Sequence, residues 1–387
     1  MIENYARKVD SINNSLGNAN VWYIPHHAVY HKKKPGKIRV VFDCSAIYSG
    51  KSLNAELLQG PDLTNKLVGV LLRFRKEVIA FMADIEAMYY KVRVPETQRH
   101  FIWFLCWPDG NLNTTLCEYE MCVHLFGAIS SPSSANFALR RTAVDHAHIF
   151  GEKAKEVLHN NFYVDDLLIS EEDTKSALDL AKKVQEMCKA GGFHLTKFTS
   201  NDSEFINGIP KNERAKGVKN FDFDNNFPPE RALGVHWCIE DDVLGFRVSL
   251  SSRPTTRRGI LSIVSSIYDP FGVASPFLLP GRKILQEISA DKAGWDEKVA
   301  EDHAVRWEHW IRQLPQLEKL YVQRCYKPKN FGKVVETSLH SFSDASNFGY
   351  GEASYLRQVN EKGDINVTLI MGKSRVSPSK SITISRL

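Results

Sequence analysis

The sequence predicts an α+β protein in which helices pack on mainly antiparallel sheet. Two hairpin signals lie in the first third of the chain, and short apolar segments alternate with segments of helical spacing. Hydrophobic residues make up 43% and charged residues 25% of the chain, which is typical of globular domains rather than of disordered or coiled-coil proteins. The 387 residues suffice for about two to three domains.

The first hairpin signal covers residues 21–43. Alternating and β-branched residues flank a basic turn at 31–37, and a Pro-Gly pair inside this turn favours reversal of the chain. The second signal is Pro-Asp-Gly-Asn at 108–111, between the apolar segments 101–107 and 114–125. Because these turn residues supply the backbone angles that reversal requires, both regions are expected to form antiparallel strand pairs.

The segments between and after the hairpins predict further strands and two helices. The apolar run 78–83 predicts a short buried strand that ends on Asp84. Ser-Ser-Pro at 130–132 predicts a helix with a serine cap and proline in its first turn. Residues 162–169 read as two short strands, and Ser170 as the start of an amphipathic helix that ends at a Gly-Gly pair.

In the second half of the chain, the composition and the spacing of apolar residues change twice. Residues 201–230 are rich in Asn, Asp, Lys and Gly, which predicts a loop and a domain boundary. Helical spacing follows in 257–288 and 295–320, and a new strand pattern begins at residue 338. We therefore expect a sheet domain, a more helical region and a second sheet unit.

Charge and cysteine content narrow the class of protein. Lys and Arg number 50 against 45 Asp and Glu, a net charge of +5 that is compatible with a polyanionic partner without indicating one. The seven cysteines form no C-x-x-C pair, which favours a reducing compartment. The first 17 residues lack the apolar segment of a signal peptide, and no apolar run is long enough to cross a bilayer. We therefore expect a protein that is neither secreted nor membrane-bound. It would be intracellular, in the cytoplasm, the nucleus or cytoplasmic particles.

Two neighbouring acids stand out in Tyr-Val-Asp-Asp at 163–166. Adjacent residues of a regular strand point to opposite faces, so Asp165 and Asp166 can serve one site only where the chain reverses. Their mutual repulsion in such a turn is relieved by a cation, and Asp84 offers a third carboxylate. Carboxylates, water and phosphate oxygens are the ligands that Mg²⁺ takes. The alternative from the residues alone is a solvated turn and an unrelated strand-terminal Asp.

Three segments in chain order resemble motifs A, B and C of a reverse transcriptase palm. They are Phe-Met-Ala-Asp-Ile-Glu-Ala-Met-Tyr-Tyr at 81–90, Phe-Gly-Ala-Ile-Ser-Ser-Pro at 126–132, and Tyr-Val-Asp-Asp at 163–166. The chain is most similar to the reverse transcriptase of BEL/Pao-type LTR retrotransposons, from about Trp22 to its end. The resemblance implies a right-hand polymerase with fingers, an antiparallel palm sheet and a thumb-like region, followed by a truncated ribonuclease H-like α/β unit.

The resemblance also implies the domain limits. Residues 1–78 would be an N-terminal segment and fingers, 79–245 the palm with a fingers hairpin inserted at about 94–129, 246–335 a helical thumb or connection, and 336–387 an incomplete ribonuclease H-like domain. Asp344 resembles the first metal ligand of a ribonuclease H, and Glu352 is expected to be an ordinary strand residue. Because the next ligand of that family would follow residue 387, we expect no ribonuclease H activity from this chain.

By the same resemblance, Asp84 and Asp165 would be the main ligands of two Mg²⁺ ions, with Mn²⁺ as the alternative. Asp166 would complete the carboxylate cluster, and the carbonyl group of Ile85 would be a further ligand. Lys197 matches a lysine that protonates the leaving pyrophosphate as a general acid, although a surface strand lysine is the alternative.

The expected nucleotide contacts come from the fingers and from motifs A and B. Tyr89 stands where the family has an aromatic gate against the 2′-hydroxyl, with Tyr90 as the alternative. Phe126, in place of the Gln of retroviral enzymes, would pack against the sugar. Gly127 would let the backbone come close to a ligand, and a Gly needed only for a tight turn is the alternative. Lys32 and Arg39 have the spacing of the two cations that bind the triphosphate, and a solvated basic turn is the other interpretation.

Together these features predict an RNA-directed DNA polymerase fragment of a retrotransposon Pol polyprotein. Its partners would be an RNA or DNA template with a primer, dNTPs and other Pol segments. The alternative is a catalytically silent nucleic-acid-binding protein of retroelement origin. A third possibility is a nucleotide cyclase on a related palm. It is disfavoured because this sequence lacks the Gly-Gly-acidic turn expected of such an enzyme.

Overall fold

The computed structural model describes residues 5–9, 21–30, 38–215, 230–232, 234–248 and 252–379. The chain divides into a first unit of Met1–Asn65, Ala83–Leu167 and Asp179–Thr196, and a second unit of Lys66–Met82, Leu168–Leu178 and Lys197–Leu387. The predicted basic turn at 31–37 lies outside the described residues, and so does Lys32 within it.

The secondary structure alternates short strands with helices. In chain order the strands are β1 (Ala6–Lys8), β2 (His26–Tyr30), β3 (Ile38–Phe42), β4 (Ile79–Ile85), β5 (Trp103–Cys106), β6 (Cys117–Met121), β7 (Phe162–Tyr163), β8 (Asp166–Glu171), β9 (Leu195–Ser200), β10 (Glu230–Ala232), β11 (Val235–Cys238), β12 (Val243–Gly245), β13 (Tyr321–Gln323), β14 (Val334–Ala345), β15 (Gly349–Asn360) and β16 (Ile365–Val376). The α-helices are α1 (Leu53–Glu56), α2 (Leu67–Phe74), α3 (Ser131–Phe150), α4 (Glu152–Asn160), α5 (Thr174–Ala190), α6 (Ser203–Gly208), α7 (Arg257–Ser266), α8 (Ser275–Ala290) and α9 (Glu301–Gln313). Short 3₁₀ helices lie at Met88–Lys91, Glu96–Phe101, Pro108–Gly110, Lys211–Glu213 and Leu314–Lys319.

In the described residues these strands form several small sheets. Their strand orders are β1-β6-β5, β2-β3, β7-β8-β4-β9, β10-β11-β12-β13 and β14-β15-β16. Antiparallel pairing joins β2 to β3, β5 to β6 and β7 to β8, as well as the neighbours in the last two sheets. The predicted α+β class with antiparallel sheets is therefore confirmed.

Both predicted hairpins are present as paired strands. Val29 of β2 lies opposite Arg39 of β3, and Trp103 of β5 lies opposite Glu120 of β6. The connection of the second hairpin contains the 3₁₀ turn Pro108–Gly110, as the fixed φ of proline and the permissive backbone of glycine favour.

Strand β4 is buried as its apolar sequence predicts. Ala80, Phe81 and Ile85 are fully buried, and the ring of Phe81 stacks on that of Phe205 with 4.6 Å between centroids. Phe81 and Ile85 each contribute about 1.5–3 kcal/mol to stability through the apolar surface they remove from water. This burial fixes the strand whose penultimate residue is Asp84.

The two predicted helices exist, but their starts differ in detail. Helix α3 has proline in its first turn as predicted, whereas Ser130 makes no side-chain capping bond. Ser170 does not open a helix: it stays in strand β8, where its hydroxyl donates to the carbonyl of Arg73 and accepts from the amide of Glu77. Helix α5 starts after Asp173, whose carboxylate accepts from the amide of Ser176 at 2.8 Å. Because the Ser170 hydroxyl is engaged by Arg73 and Glu77, the first turn of α5 is capped instead by Asp173, three residues later.

Helices α7, α8 and α9 share a hydrophobic core in the second unit. Trp307 and Trp310 of α9 are buried there with centroids 4.9 Å apart, together with Leu278 of α8. Next to α8, the amide of Gly372 in β16 donates to the carbonyl of Phe271 at 2.7 Å. Main chain therefore meets main chain at this point of the packing.

A buried arginine joins distant segments of the second unit. Arg75 follows α2 and is 1% exposed. Its guanidinium donates at 3.0–3.2 Å to the carbonyl oxygens of Gln323, Arg324, Leu369 and Ile370. The planar guanidinium thus donates both to the end of β13 with the residue that follows it and to β16. Arginine suits this arrangement better than lysine because its five donors have a fixed geometry.

A second buried arginine continues this network. Arg324 donates through two nitrogens to the carboxylate of Asp242 at 2.6 and 2.8 Å. It also donates to the carbonyl oxygens of Phe74 and Val78, and Asp242 in turn accepts from the indole of Trp237. The buried charge pair is thereby satisfied, as burial requires.

None of the helices in the described part of the chain combines the length and apolar character needed to cross a bilayer.

Candidate functional site

The end of strand β4 meets the bend between β7 and β8 in the first unit. The amide of Ile85 donates to the carbonyl of Asp165 at 2.9 Å, so the main chain next to Asp84 lies against the main chain of the bend. Val164 in this bend has a φ of 57°, which is costly for a β-branched residue. Asp165 lies in the bend itself, and Asp166 is the first residue of β8, opposite Tyr163.

Strain at this bend coincides with the predicted site. Left-handed backbone at a non-glycine residue costs about 1–3 kcal/mol and persists only where the surroundings impose it. Here the Asp165 carbonyl accepts the Ile85 amide, and the antiparallel pair of Tyr163 and Asp166 closes the hairpin. These contacts hold the bend against the end of β4.

The metal hypothesis fits this backbone arrangement only in part. The end of β4, which carries Asp84, adjoins the bend that carries Asp165. This suits a shared ion because Mg²⁺ commonly takes one or two carboxylates and completes its shell with water and phosphate oxygens. Among the described residues, however, no three His, Cys, Asp or Glu side chains are grouped so as to hold a metal ion. The three-carboxylate cluster and the carbonyl ligand of Ile85 therefore stay predictions.

An aromatic and cationic cluster lies beside the bend. The ring of Phe126 contacts those of Tyr89 and Tyr90 at centroid distances of 4.5 and 5.1 Å. The guanidinium carbon of Arg39 lies 5.5 Å from the Phe126 ring centroid, within the range of cation–π attraction. The structure thus brings residues from β3, the 3₁₀ helix after β4 and the segment before α3 to one place.

Electrostatics connect this cluster with the acidic bend. Burial, followed by the negative charge of Asp165, raises the pKa of Tyr89 above its usual value. Burial also raises the pKa of Tyr90, but there the positive charge of Arg39 opposes the rise. The charge that acts on Tyr89 is thus that of Asp165, whereas Arg39 acts on Tyr90. The sequence alone does not show this difference between two adjacent tyrosines.

Gly127 is placed where any side chain would collide. Its φ is +112°, and a Cβ would lie 2.7 Å from the carbonyl oxygen of Phe42. The residue is thus needed both for its backbone angle and for a close approach of two main-chain segments. This approach brings the segment that carries Phe126 against the end of strand β3.

Asn54 was not found by the sequence analysis. Its carboxamide nitrogen donates to the carbonyl of Gly127 at 2.9 Å and to the hydroxyl of Ser45 at 3.0 Å, and its carboxamide oxygen accepts from the amide of Ile129 at 3.0 Å. The two main-chain partners, Gly127 and Ile129, are 73 and 75 residues away in the sequence. No local sequence pattern therefore predicts these contacts. A polar residue at the start of a four-residue helix was the only available signal.

The other predicted cations are more scattered. Arg39 is exposed on β3 and faces the cluster, whereas Lys32 lies outside the described residues. Lys197 is exposed on β9 with a φ of 59° and belongs to the second unit. Its role as a general acid stays a prediction.

The predicted ribonuclease H residue lies at the end of strand β14. Asp344 is opposite Gly351 of β15, and Glu352 is opposite Ser343. Asp344 lines a cleft of about 570 Å³, and the Glu352 carboxylate accepts from the hydroxyl of Ser354 at 3.2 Å. The register gives Glu352 a local partner, and the role of Asp344 stays a prediction.

Comparisons with known proteins give a family match for the C-terminal part of the sequence. Residues 256–387 match the family model described as a Pao retrotransposon-like RNaseH-like domain. This match begins inside the segment predicted as thumb or connection and includes β14, β15 and β16. No curated protein matches the sequence.

Two solved structures share the fold. The foamy viral protease-reverse transcriptase dRH in complex with double-stranded DNA aligns over 97% of this chain and 53% of its own, with a TM-score of 0.57 and 16% identity. The foamy viral protease-reverse transcriptase in complex with an RNA/DNA hybrid aligns over 92% and 40%, with a TM-score of 0.52 and 15% identity. This chain thus spans about half, or less, of the structures it matches.

Proposed function

We propose that this chain is the polymerase part of a retroelement Pol protein of BEL/Pao type and acts as an RNA-directed DNA polymerase. The main-chain bond between Ile85 and Asp165 carries the proposal, because it joins the end of β4 to the acidic bend. The Pao retrotransposon-like match of residues 256–387 and the fold shared with the two foamy viral structures support it.

The reaction would extend a primer on an RNA or DNA template. The primer 3′-oxygen attacks the α-phosphorus of a dNTP, a new phosphodiester bond forms, and the bond to the departing pyrophosphate breaks. Two Mg²⁺ or Mn²⁺ ions, held by Asp84, Asp165 and Asp166 with the carbonyl of Ile85, would supply charge stabilisation and a more acidic primer hydroxyl. Lys197 would donate the proton that pyrophosphate takes up.

The aromatic cluster would bind the incoming nucleotide. Tyr89 and Phe126 offer an apolar surface for the sugar beside Asp165, and a 2′-hydroxyl would be excluded by the bulk of Tyr89 rather than by lost attraction. Arg39, whose guanidinium lies 5.5 Å from the centroid of the Phe126 ring, would contact the triphosphate together with Lys32.

A catalytically silent nucleic-acid-binding protein is the second candidate. The observation that favours it is the lack, among the residues that the structure describes, of a three-membered group of possible metal ligands. Such a protein would keep the fold and the basic contacts to phosphate and would bind duplex without turnover.

Primer extension separates the two candidates. The wild-type chain and Asp165→Asn are compared on poly(rA)/oligo(dT) with Mg²⁺ and with Mn²⁺, and duplex binding is measured in parallel by fluorescence. We expect the substitution to reduce incorporation at least about 100-fold, since it removes a negative ligand from the site, while the duplex Kd changes little.

The matched control is Asp179→Asn, which removes an exposed carboxylate paired with Lys183 on helix α5. It should leave incorporation unchanged. Equal incorporation by wild type and Asp165→Asn would refute the catalytic assignment of Asp165. No incorporation by wild type, with duplex binding retained, would establish the silent binding protein instead.

A further inference from the structure

The carboxamide of Asn54 holds both sides of the segment that follows Phe126. It donates to the carbonyl of Gly127 and accepts from the amide of Ile129, and its second N–H donates to Ser45. The amide of Asn54 itself donates to the carbonyl of Cys44 at 2.9 Å. The segment 127–129 is therefore bound to the chain that follows strand β3.

The chemistry of this contact requires a carboxamide. Both N–H donors of Asn54 are used, on two different acceptors, and its oxygen accepts from a main-chain amide. An Asp would place an acceptor against the Gly127 carbonyl, because a carboxylate has no donor at neutral pH. A Gln has a longer stem, and Ser or Ala cannot reach all three partners.

What Asn54 holds in place is the wall of the proposed nucleotide site. Gly127 directly follows Phe126, whose ring contacts both the ring of Tyr89 and the guanidinium of Arg39. A shift of the Gly127 peptide moves this ring with it. The close approach of Gly127 to the Phe42 carbonyl leaves the backbone little alternative position on the β3 side.

We infer that Asn54 is a positioning residue that sets the affinity for the incoming deoxynucleotide through the 126–129 segment. The inference rests on the proposed polymerase function. The Asn54 side chain bonds to Ser45, Gly127 and Ile129, and it acts by fixing the main chain next to Phe126. Misplacement of a binding wall by about 1 Å can cost on the order of 100-fold in activity, so the effect should be measurable.

The kinetic test compares Asn54→Asp and Asn54→Ala with wild type. We expect the KM for dNTP to rise roughly 10- to 100-fold, with kcat and duplex Kd within about threefold of wild type and a cooperative urea unfolding transition in both variants. Ser45→Ala is the matched control, since it removes only the partner outside the 127–129 segment, and it should leave KM within about twofold. Unchanged KM in both Asn54 variants, or an equal rise in Ser45→Ala, would overturn the inference.

A second readout does not depend on turnover. Hydrogen exchange of the Ile129 amide should accelerate about five- to tenfold in Asn54→Ala, because a lost hydrogen bond of ordinary strength has that effect, and it should not change in Ser45→Ala. If wild type incorporates no nucleotide, the proposed function fails while this measurement still decides whether Asn54 holds the segment. Wild-type exchange at Ile129 in the variant refutes the inference whatever the activity.

Discussion

At the scale of single residues, the site depends on backbone positions that accept few side chains. Gly127 combines a left-handed φ with a neighbouring carbonyl 2.7 Å from the position of a Cβ. Val164 takes a φ of 57° despite its branched side chain. The first position excludes a side chain by contact, whereas the second tolerates one at a conformational cost.

Gly127→Ala tests the contact and separates it from the backbone cost. Left-handed φ alone costs roughly 1 kcal/mol for alanine relative to glycine, and the clash with Phe42 adds to it. We expect a loss of about 2–4 kcal/mol in the free energy of urea unfolding.

Gly110→Ala is the matched control, because Gly110 has a φ of +69° and open space around its Cβ position. It should cost only the backbone part. Equal losses in the two variants would show that the Phe42 contact carries no penalty.

Residue-level prediction from sequence succeeded where an unusual residue type stands in a motif and failed where partners are distant. Phe126, Tyr89 and Arg39 were singled out, and the structure brings them together. Asn54 was missed because its contacts are side chain to main chain across 73 and 75 residues. Such contacts leave no periodicity, and only the folded chain reveals them.

At the scale of elements, the hairpins were predicted well because turn residues and alternation are local signals. The start of helix α5 was misplaced because Ser170 bonds to Arg73 and Glu77, which are distant in sequence. The bend 163–166 was recognised from its acids, but the left-handed residue there is Val164. A β-branched residue is the last type that turn statistics would select for that angle.

The connection between β6 and α3 should respond to pH. Burial lowers the pKa of His124 below its usual value, and its ring Nδ1 lies 3.5 Å from the hydroxyl of Ser131 at the start of α3. The unfolded chain therefore binds this proton more readily than the folded chain does. Stability is complete above the unfolded pKa of about 6.5 and falls as the pH decreases below it.

His124→Gln tests this by the slope of the unfolding free energy between pH 7.5 and pH 5. The variant should lose less stability over this range than wild type does, whatever its absolute stability at pH 7.5. Burial lowers the pKa of His26 too, so part of the slope should remain. Identical slopes in wild type and variant would contradict the assignment to His124.

At the scale of the whole molecule, the buried arginines of the second unit join segments that local patterns cannot connect. Arg324 is fully buried and paired with Asp242, which is 5% exposed. Sequence analysis predicted the order of sheet, helical region and second sheet, since each has its own periodicity. It gave no indication of this ion pair, because single charged residues next to short strands, such as Asp242 and Arg324, are expected to be exposed.

Arg324→Met should therefore cost far more than the loss of a surface pair. Leaving Asp242 buried without its cation is expected to lower the free energy of unfolding by about 3–5 kcal/mol. Urea unfolding followed by tryptophan fluorescence measures it, since Trp237 contacts Asp242.

Arg357→Met is the control, because its partner Glu336 is 63% exposed and such pairs contribute about 0–1 kcal/mol. A loss below about 1 kcal/mol in Arg324→Met would contradict the prediction and would mean that the Asp242 carboxylate finds another partner. The double variant with Asp242→Leu should recover part of the loss.

The bond from Arg75 to the Ile370 carbonyl spans 295 residues, and this has a consequence for biosynthesis. While the ribosome is still making the intervening chain, the guanidinium has only water and nearby carbonyls to bond to. Domains fold as units during synthesis, but the second unit must wait for strand β16 before its arginine donors are satisfied. Completion of that unit thus waits for the synthesis of Ile370, and the ordering cost of closing so long a loop falls on this step.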